Sequence, residues 1–88
     1  MKSFTKDPGA VLDYLVDWSE WLGTDLISSS SWVVQSPLTT TNSTNTTTTA
    51  TVWLSGGVSG QQYVVTNRIV TAGARTNERS FMIMCQDL

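Results

Sequence analysis

The sequence feature that most constrains the fold is a succession of short alternating runs separated by glycine-containing turns. Residues 49–54, 63–71 and 78–86 each divide by alternation into two faces, one of them mostly apolar. A half-buried strand has this two-residue period, whereas a helix repeats every 3.6 residues. The segments 55–60 and 72–74 separate the runs and contain glycine. This spacing predicts an all-β sandwich or barrel rather than a βαβ fold.

Residues 11–22 fit two interpretations. As a helix, the segment would begin with Asp7 as N-cap and Pro8 in the first turn, and one stripe would hold the apolar side chains. That stripe is Val11, Tyr14, Leu15, Trp18, Trp21 and Leu22. As a strand, Leu12, Tyr14, Val16 and Trp18 alternate with Asp13, Asp17 and Ser19. Only Leu15 interrupts the alternation, and we favour the strand because the rest of the chain has strand patterns.

The remaining segments carry weaker signals. Residues 1–10 are polar and end in a turn. Residues 26–35 combine a serine run with β-branched and aromatic residues, which predicts one or two strands and allows a bulge. Pro37 then ends pairing or marks an edge strand. The Thr/Asn-rich residues 39–51 form either a loop or, as we favour, a solvent-facing hairpin with its turn at 42–45.

Length, composition and charge limit the functional classes. With 88 residues, of which 40% are hydrophobic and 14% charged, the chain is expected to be a single folded domain over residues 1–88. The net charge of −2 argues against nucleic acid as a partner, because phosphate binding requires a positive patch. No apolar run approaches the ~20 residues of a membrane span. No secretory signal is visible, so synthesis and folding in a cytoplasm are expected.

The charges are unevenly distributed along the chain. Acidic residues dominate the first third, arginines lie in the last third, and nothing between Asp25 and Arg68 is charged. The two sets either face each other on neighbouring strands or, as we favour, are scattered over the surface. The uncharged stretches 26–35 and 39–54 lack the charges that usually protect sheet edges. We therefore expect contacts with further copies of the chain or with a repeating assembly.

No residue pattern predicts catalysis. The absence of histidine removes the commonest general base and metal ligand. Asp13 and Asp17 would lie about 13 Å apart on a strand, too far for a paired-carboxylate site. Residues 56–60 lack the ending of a phosphate loop. Cys85 has no disulfide partner and is expected to be a buried, inert thiol. We therefore predict a non-enzyme with no catalytic, cofactor or metal residues, and no partner-contact residue can be assigned.

The predicted core comes from the inward positions of the strands. It consists of Tyr14, Trp18, Trp32, Leu54, Tyr63, Val65, Ile69, Phe81 and Ile83, and the polar Asn67 shares their face on residues 63–71. Four tryptophans supply much of the possible core of so short a chain, although Trp21 or Trp53 is expected to remain partly exposed.

Two sets of motifs resemble known proteins. A tyrosine after a glycine turn and two residues before a core position, as in Gly60-Gln-Gln-Tyr63-Val-Val65, resembles the tyrosine corner of immunoglobulin-type sandwiches. More of the chain resembles a family of short tailed-phage structural proteins, described as fibre-like or decoration proteins. The motifs are Asp13-Tyr14, Asp17-Trp18, Trp21-Leu22, Trp53-Leu54-Ser55-Gly56-Gly57, Tyr63-Val64-Val65-Thr66-Asn67-Arg68-Ile69 and Arg79-Ser80-Phe81. The departures are the Thr/Asn stretch and Met82, Met84 and Cys85.

This resemblance implies a virion component with an immunoglobulin-like antiparallel sandwich of about six to seven strands. The expected function is capsid decoration or a head- or tail-associated module that acts by protein–protein packing. Its expected partners are other virion proteins and further copies of itself. The alternative from a different class is an adhesion module that binds host surface glycan through an exposed tryptophan.

Overall fold

The computed structural model describes residues 2–88, so Met1 lies outside the described residues. The elements are β1 (Lys2–Lys6), β2 (Leu12–Asp17), α1 (Ser19–Leu22), β3 (Ile27–Val34), β4 (Thr39–Asn45), β5 (Thr49–Ser55), β6 (Gln62–Thr71) and β7 (Thr76–Cys85). Four strands form one sheet in the order β1-β7-β6-β3, and three form a second in the order β2-β5-β4. The predicted all-β sandwich of six to seven strands is confirmed.

The alternating pattern did not reveal β1. Its residues pair in parallel with β7, from Lys2 opposite Phe81 to Lys6 opposite Cys85. The remaining strand pairs among the described residues are antiparallel. Four of the five residues of β1 are exposed, so the segment lacks the apolar period that marks a half-buried strand.

The segment 11–22 contains both predicted structures in succession. β2 follows the strand alternation, and α1 adds a single helical turn behind it. The helical interpretation of the whole segment is therefore wrong. Asp7 does not cap a helix, because its carboxylate accepts the backbone N–H of Gly9 at 2.8 Å within a turn. The alternation continues as far as Trp18, which is fully buried.

The core lies between the two sheets and consists of two clusters. The larger cluster is Tyr14, Leu38, Val52, Leu54, Tyr63, Val65, Phe81, Ile83 and Cys85. The smaller is Trp18, Leu22, Ile27 and Ile69. Every predicted core side chain is buried except Trp32, which is half-buried with its ring centroid 6.2 Å from that of Phe81.

The Thr/Asn-rich segment forms the predicted hairpin, but its turn lies elsewhere. β4 continues through residues 42–45, and the turn falls at 46–48. The Thr46 hydroxyl oxygen accepts the backbone N–H groups of Thr48 at 3.2 Å and Thr49 at 3.0 Å, which closes the turn. Threonine hydroxyls form local hydrogen bonds with the backbone just as asparagine side chains do. The positions of the asparagines therefore did not predict where the turn lies.

This turn is attached to the rest of the sandwich. The carbonyl oxygen of Thr47 accepts the N–H of Ile27 at 2.8 Å, and that of Thr48 accepts the N–H of Trp18 at 2.9 Å. Both donors belong to the smaller core cluster. The interpretation of residues 39–51 as a loop is therefore wrong.

The tyrosine corner is present at the start of β6. The Tyr63 hydroxyl oxygen accepts the backbone N–H of Val58 at 2.9 Å. Gly57 between β5 and β6 has a φ of +97°, and a Cβ there would collide with the sulfur of Cys85. The close approach explains a glycine at this position, and Cys85 is buried as predicted.

Candidate protein-interaction surfaces

The sandwich has two long sides, and each side is bordered by two edge strands, one from each sheet. β1 and β2 border one side, and β3 and β4 border the other. We call them the β1/β2 side and the β3/β4 side. β3 lies against β4 and β5, so the β3/β4 side is closed. On the β1/β2 side the two sheets leave a groove open to solvent.

The groove has a volume of about 410 Å³. Its lining comes from β1, β2 and β7 and comprises Lys2, Phe4, Leu15, Val16, Asp17, Arg79, Ser80 and Phe81. Phe4 and Leu15 are 37% and 59% exposed, although both are large apolar residues. The groove therefore presents apolar surface that is continuous with the core.

Aromatic packing connects the groove with the larger core cluster. The Phe4 ring lies 5.1 Å from the Tyr14 ring and 5.5 Å from the Phe81 ring, the latter edge-on. The Tyr14 hydroxyl is buried and has no hydrogen-bond partner among the described residues. Desolvation raises the pKa of Tyr14, as expected for a phenol in apolar surroundings.

Lys2 and Arg79 place positive charge at the end of the groove where β1 begins. Arg79 lies with its guanidinium carbon 4.4 Å from the Trp18 ring centroid, and its Nη1 donates to the carbonyl oxygen of Asp17 at 2.8 Å. Neither cation belongs to the ion pairs that the described residues form. The Asp17 carboxylate accepts the N–H of Ser19 at 2.9 Å, and this hydrogen bond holds the pKa of Asp17 below its ordinary value.

A buried polar network positions Trp18 beneath Arg79. Trp18 Nε1 donates to Asn67 Oδ1 at 2.9 Å, and Asn67 Nδ2 donates to Ser30 Oγ at 2.9 Å and to the carbonyl oxygen of Ser31 at 3.0 Å. The sequence signal for this network was Asn67, a polar residue at a core position of β6. Because all these groups are satisfied, the network stabilises one position of the indole ring.

Arg75 forms a second cation–aromatic contact at the same end. Its guanidinium carbon lies 4.3 Å from the Trp21 ring centroid, its Nε donates to Asp25 Oδ2 at 3.0 Å, and its Nη2 donates to the Leu22 carbonyl at 3.0 Å. Hydrogen bonds, led by one from the Thr71 hydroxyl, hold the pKa of Asp25 well below its ordinary value. Here the acidic first third and the basic last third of the chain do face each other.

Lys6 is a buried polar residue that no sequence pattern predicted. Its side chain is fully buried, and its Nζ donates to the carbonyl oxygens of Asp7 at 3.0 Å and Gly56 at 2.8 Å. Gly56 follows β5 in the opposite sheet. The lysine therefore attaches β1 to the other sheet at the far end of the β1/β2 side.

The β3/β4 side has a different character. No residue of either edge strand is charged, and β4 is exposed along its whole length. The pairing register shifts between Ile27 and Ser29 in β3 and between Thr40 and Asn42 in β4. Such bulges protect sheet edges from pairing with other chains. Only part of the predicted edge 39–54 is an edge, since β5 is the central strand of its sheet.

The outer face of the three-stranded sheet carries a half-buried tryptophan. Trp53 on β5 lies opposite Asp13 on one neighbouring strand and Asn42 on the other. Trp21 is also half-buried. The prediction that Trp21 or Trp53 stays partly exposed is confirmed for both.

Residues 2–88 contain no group of three or more Cys, Asp and Glu side chains arranged to hold a metal ion. Asp13 and Asp17 lie on the same face of β2, four residues apart. No helix in this part of the chain is both long and apolar enough to cross a membrane.

The two packed sheets and the tyrosine corner define an immunoglobulin-like β-sandwich protein. The solved PKD domain from the KIAA 1837 protein is similar, with a TM-score of 0.55, 20% identity, and coverage of 98% of this chain and 79% of that domain. No curated protein matches the sequence. The family model described as podophage GP4 fiber-tail adaptor protein gp77 matches residues 6–84. The chain belongs to this family and is therefore a phage structural protein, which confirms the resemblance found in the sequence.

Proposed function

We propose that the protein is a non-enzymatic adaptor that joins a fibre to the tail of a phage particle. The observation that carries this proposal is the family match over residues 6–84, because its description names a fiber-tail adaptor. Of the two roles expected from the sequence, this supports the tail-associated module over capsid decoration. The partners proposed are other virion proteins at the tail.

The shape and chemistry of the sandwich support such a role. An adaptor has to contact two neighbours at once, and the β1/β2 and β3/β4 sides offer surfaces of different chemistry. One has an apolar groove with unpaired cations, and the other has uncharged edge strands rich in Thr, Ser and Asn. Further copies of the chain are proposed to contact one another through the side chains of the uncharged strands, where no like charges would repel, and not by pairing of the bulged edges themselves.

Particles produced without this protein test the adaptor role. We expect filled heads with tails that lack fibres, and we expect the purified protein to restore fibre attachment. Cryo-electron microscopy of both particle types measures the fibre occupancy. Particles that keep their fibres without the protein would contradict the proposal. Density for the protein on the capsid alone would support decoration instead.

Binding of host surface glycan is the second candidate. The observation that favours it is half-buried Trp53, which lies beside Asp13 and Asn42 on the outer face of the three-stranded sheet. Sugar rings stack on such aromatic side chains while polar neighbours bond their hydroxyls. A glycan array probed with wild type and Trp53→Ala tests this candidate, because specific binding must disappear in the variant. Binding that the variant retains, or no binding at all, would exclude this face as a glycan site.

A further inference from the structure

We propose that the groove on the β1/β2 side is the docking site for an extended segment of another virion protein. The segment would insert a large apolar side chain into the groove, and an Asp or Glu of the same segment would lie next to that side chain. This inference rests on the proposed adaptor function, and it names the surface and the chemistry of one of the two contacts.

The edge strands favour an extended segment. β1 and β2 end their respective sheets, so each presents backbone N–H and C=O groups without a strand partner on its outer edge. An extended peptide that lies along such an edge gains main-chain hydrogen bonds, and its alternate side chains point toward the gap between the sheets. No register shift interrupts the pairing of β1 with β7 or of β2 with β5, unlike the pairing of the edges on the other side.

The lining favours an apolar side chain. Phe4, Leu15 and Val16 form the walls together with buried Phe81. A volume of 410 Å³ lies within the range of about 300–1,000 Å³ that is typical of binding pockets. Leaving Phe4 and Leu15 exposed to water is unfavourable, and a partner side chain that covers them would recover roughly 25 cal/mol for each Å² of apolar surface.

The charges favour an acidic neighbour for that side chain. Lys2 and Arg79 line the groove with one carboxylate, Asp17, so the lining carries a net charge of +1 on a chain whose total is −2. Asp17 is already engaged by the N–H of Ser19 and forms no ion pair with either cation. Arg79 is held in place by the Trp18 ring and keeps donors free for a carboxylate.

Photocrosslinking on whole particles tests the docking site directly. The photoreactive residue p-benzoylphenylalanine replaces Leu15 in the groove or, as the matched control, Val33, which is 66% exposed on edge strand β3. We expect irradiation to link position 15 to a fibre or tail protein, at a segment where a large apolar residue adjoins Asp or Glu. Position 33 should not link to that segment. No product at position 15, the same segment at both positions, or a link to glycan or to a second copy would overturn the proposal.

Incorporation in competition with wild type tests the chemistry. We expect Leu15→Glu to enter particles about tenfold less than wild type, because it buries a charge against the partner. Leu15→Met should enter normally, and so should the control Val58→Glu, whose position is 51% exposed in the loop between β5 and β6. Lys2→Glu should lower incorporation about two- to fivefold and Lys2→Arg should not, as expected for an exposed charge pair. Quantitative mass spectrometry of purified particles gives the ratios, and thermal melting confirms that each variant folds.

The outcomes separate this inference from the adaptor function. If Leu15→Glu and Lys2→Glu fold and enter particles like wild type, the groove is not the docking site, and this result leaves the adaptor function intact through another surface. If position 15 links to a capsid segment of the expected chemistry, the groove proposal stands and the adaptor function fails. Should Leu15→Glu fail to fold, the exposed Lys2 variants decide the question alone.

Discussion

The two sides of the sandwich solve the problem of exposed sheet edges in different ways. On the β3/β4 side the edge strands lie close together and carry a bulge each, without a single charge. On the β1/β2 side the edges are regular and charged, and the sheets leave a groove between them. A bulge disrupts the hydrogen-bonding edge itself, whereas a charge mainly selects which partner can approach. The comparison indicates that the β1/β2 side is the one adapted to a specific partner.

The largest expected effect comes from the core beneath both sides. Trp18→Ala should lower the free energy of unfolding by about 3–5 kcal/mol, because it removes a fully buried indole and leaves Asn67 Oδ1 without its donor. Half-buried Trp21→Ala is the matched control and should cost clearly less. Urea denaturation followed by circular dichroism measures both. Equal losses in the two variants would show that Trp18 does not have this special role.

The next effect separates the two sides. Lys6→Met keeps the length of the buried side chain but leaves the carbonyl oxygens of Asp7 and Gly56 without their donor, which should cost about 1–3 kcal/mol. Hydrogen exchange should increase first in the amides of β1, since Lys6 attaches this strand to the opposite sheet. Lys2→Met, at the exposed end of the same strand, is the control. Uniform acceleration across β1 and β3 would contradict a local role for Lys6.

The sequence predicted the long strands well because local alternation was enough to define them. β6 and β7 have ten residues each, and their inward residues from Tyr63 to Ile69 and from Phe81 to Cys85 are buried as predicted, including the polar Asn67. The tyrosine corner was also readable, because its glycine turn and tyrosine are local in sequence.

The β1/β2 side could not be predicted in the same way. β1 is defined by pairing with β7, about eighty residues away in the chain, and its own residues show no apolar period. The partners of Lys6 are backbone carbonyls, which no residue type can signal. The groove arises where edge strands of two different sheets diverge, so its lining residues share no motif. Three-dimensional proximity of distant segments was the missing information.

The bulges allow a test of edge protection that changes no core residue. Deleting Thr41, which the shift between Thr40 and Asn42 leaves out of the pairing with β5, should regularise the exposed edge of β4. We expect this variant to associate at least about tenfold more tightly than wild type, because an uncharged regular edge can pair with a second copy. Adding Ser43→Lys to the deletion should reverse the effect. Sedimentation measures the association, and wild-type behaviour of the deletion variant would refute the protective role of the bulge.

The smallest effect concerns the response to acid at the end of the sandwich where Asp25 receives its hydrogen bonds. Folding lowers the pKa of Asp25 from its ordinary value of 3.8, with the Thr71 hydroxyl as the main cause. Below pH 3.8 the Asp25 carboxylate is mostly protonated in the unfolded chain, whereas in the native state it stays charged to lower pH. The stabilisation is therefore complete at higher pH and is lost as the pH falls through 3.8 toward the lower native value. Asp25→Asn should have a lower melting temperature than wild type at pH 7, and its melting temperature should fall less between pH 5 and pH 2.

Asp13→Asn, exposed on the edge strand β2, is the matched control and should follow the wild-type curve. Asp7 and Asp17 also have lowered pKa values, so Asp25→Asn should retain part of the acid response. Melting curves recorded by circular dichroism at half-unit pH intervals provide the comparison. A variant whose curve parallels that of wild type through the acid range would show that the bonds to Asp25 do not favour its charged form.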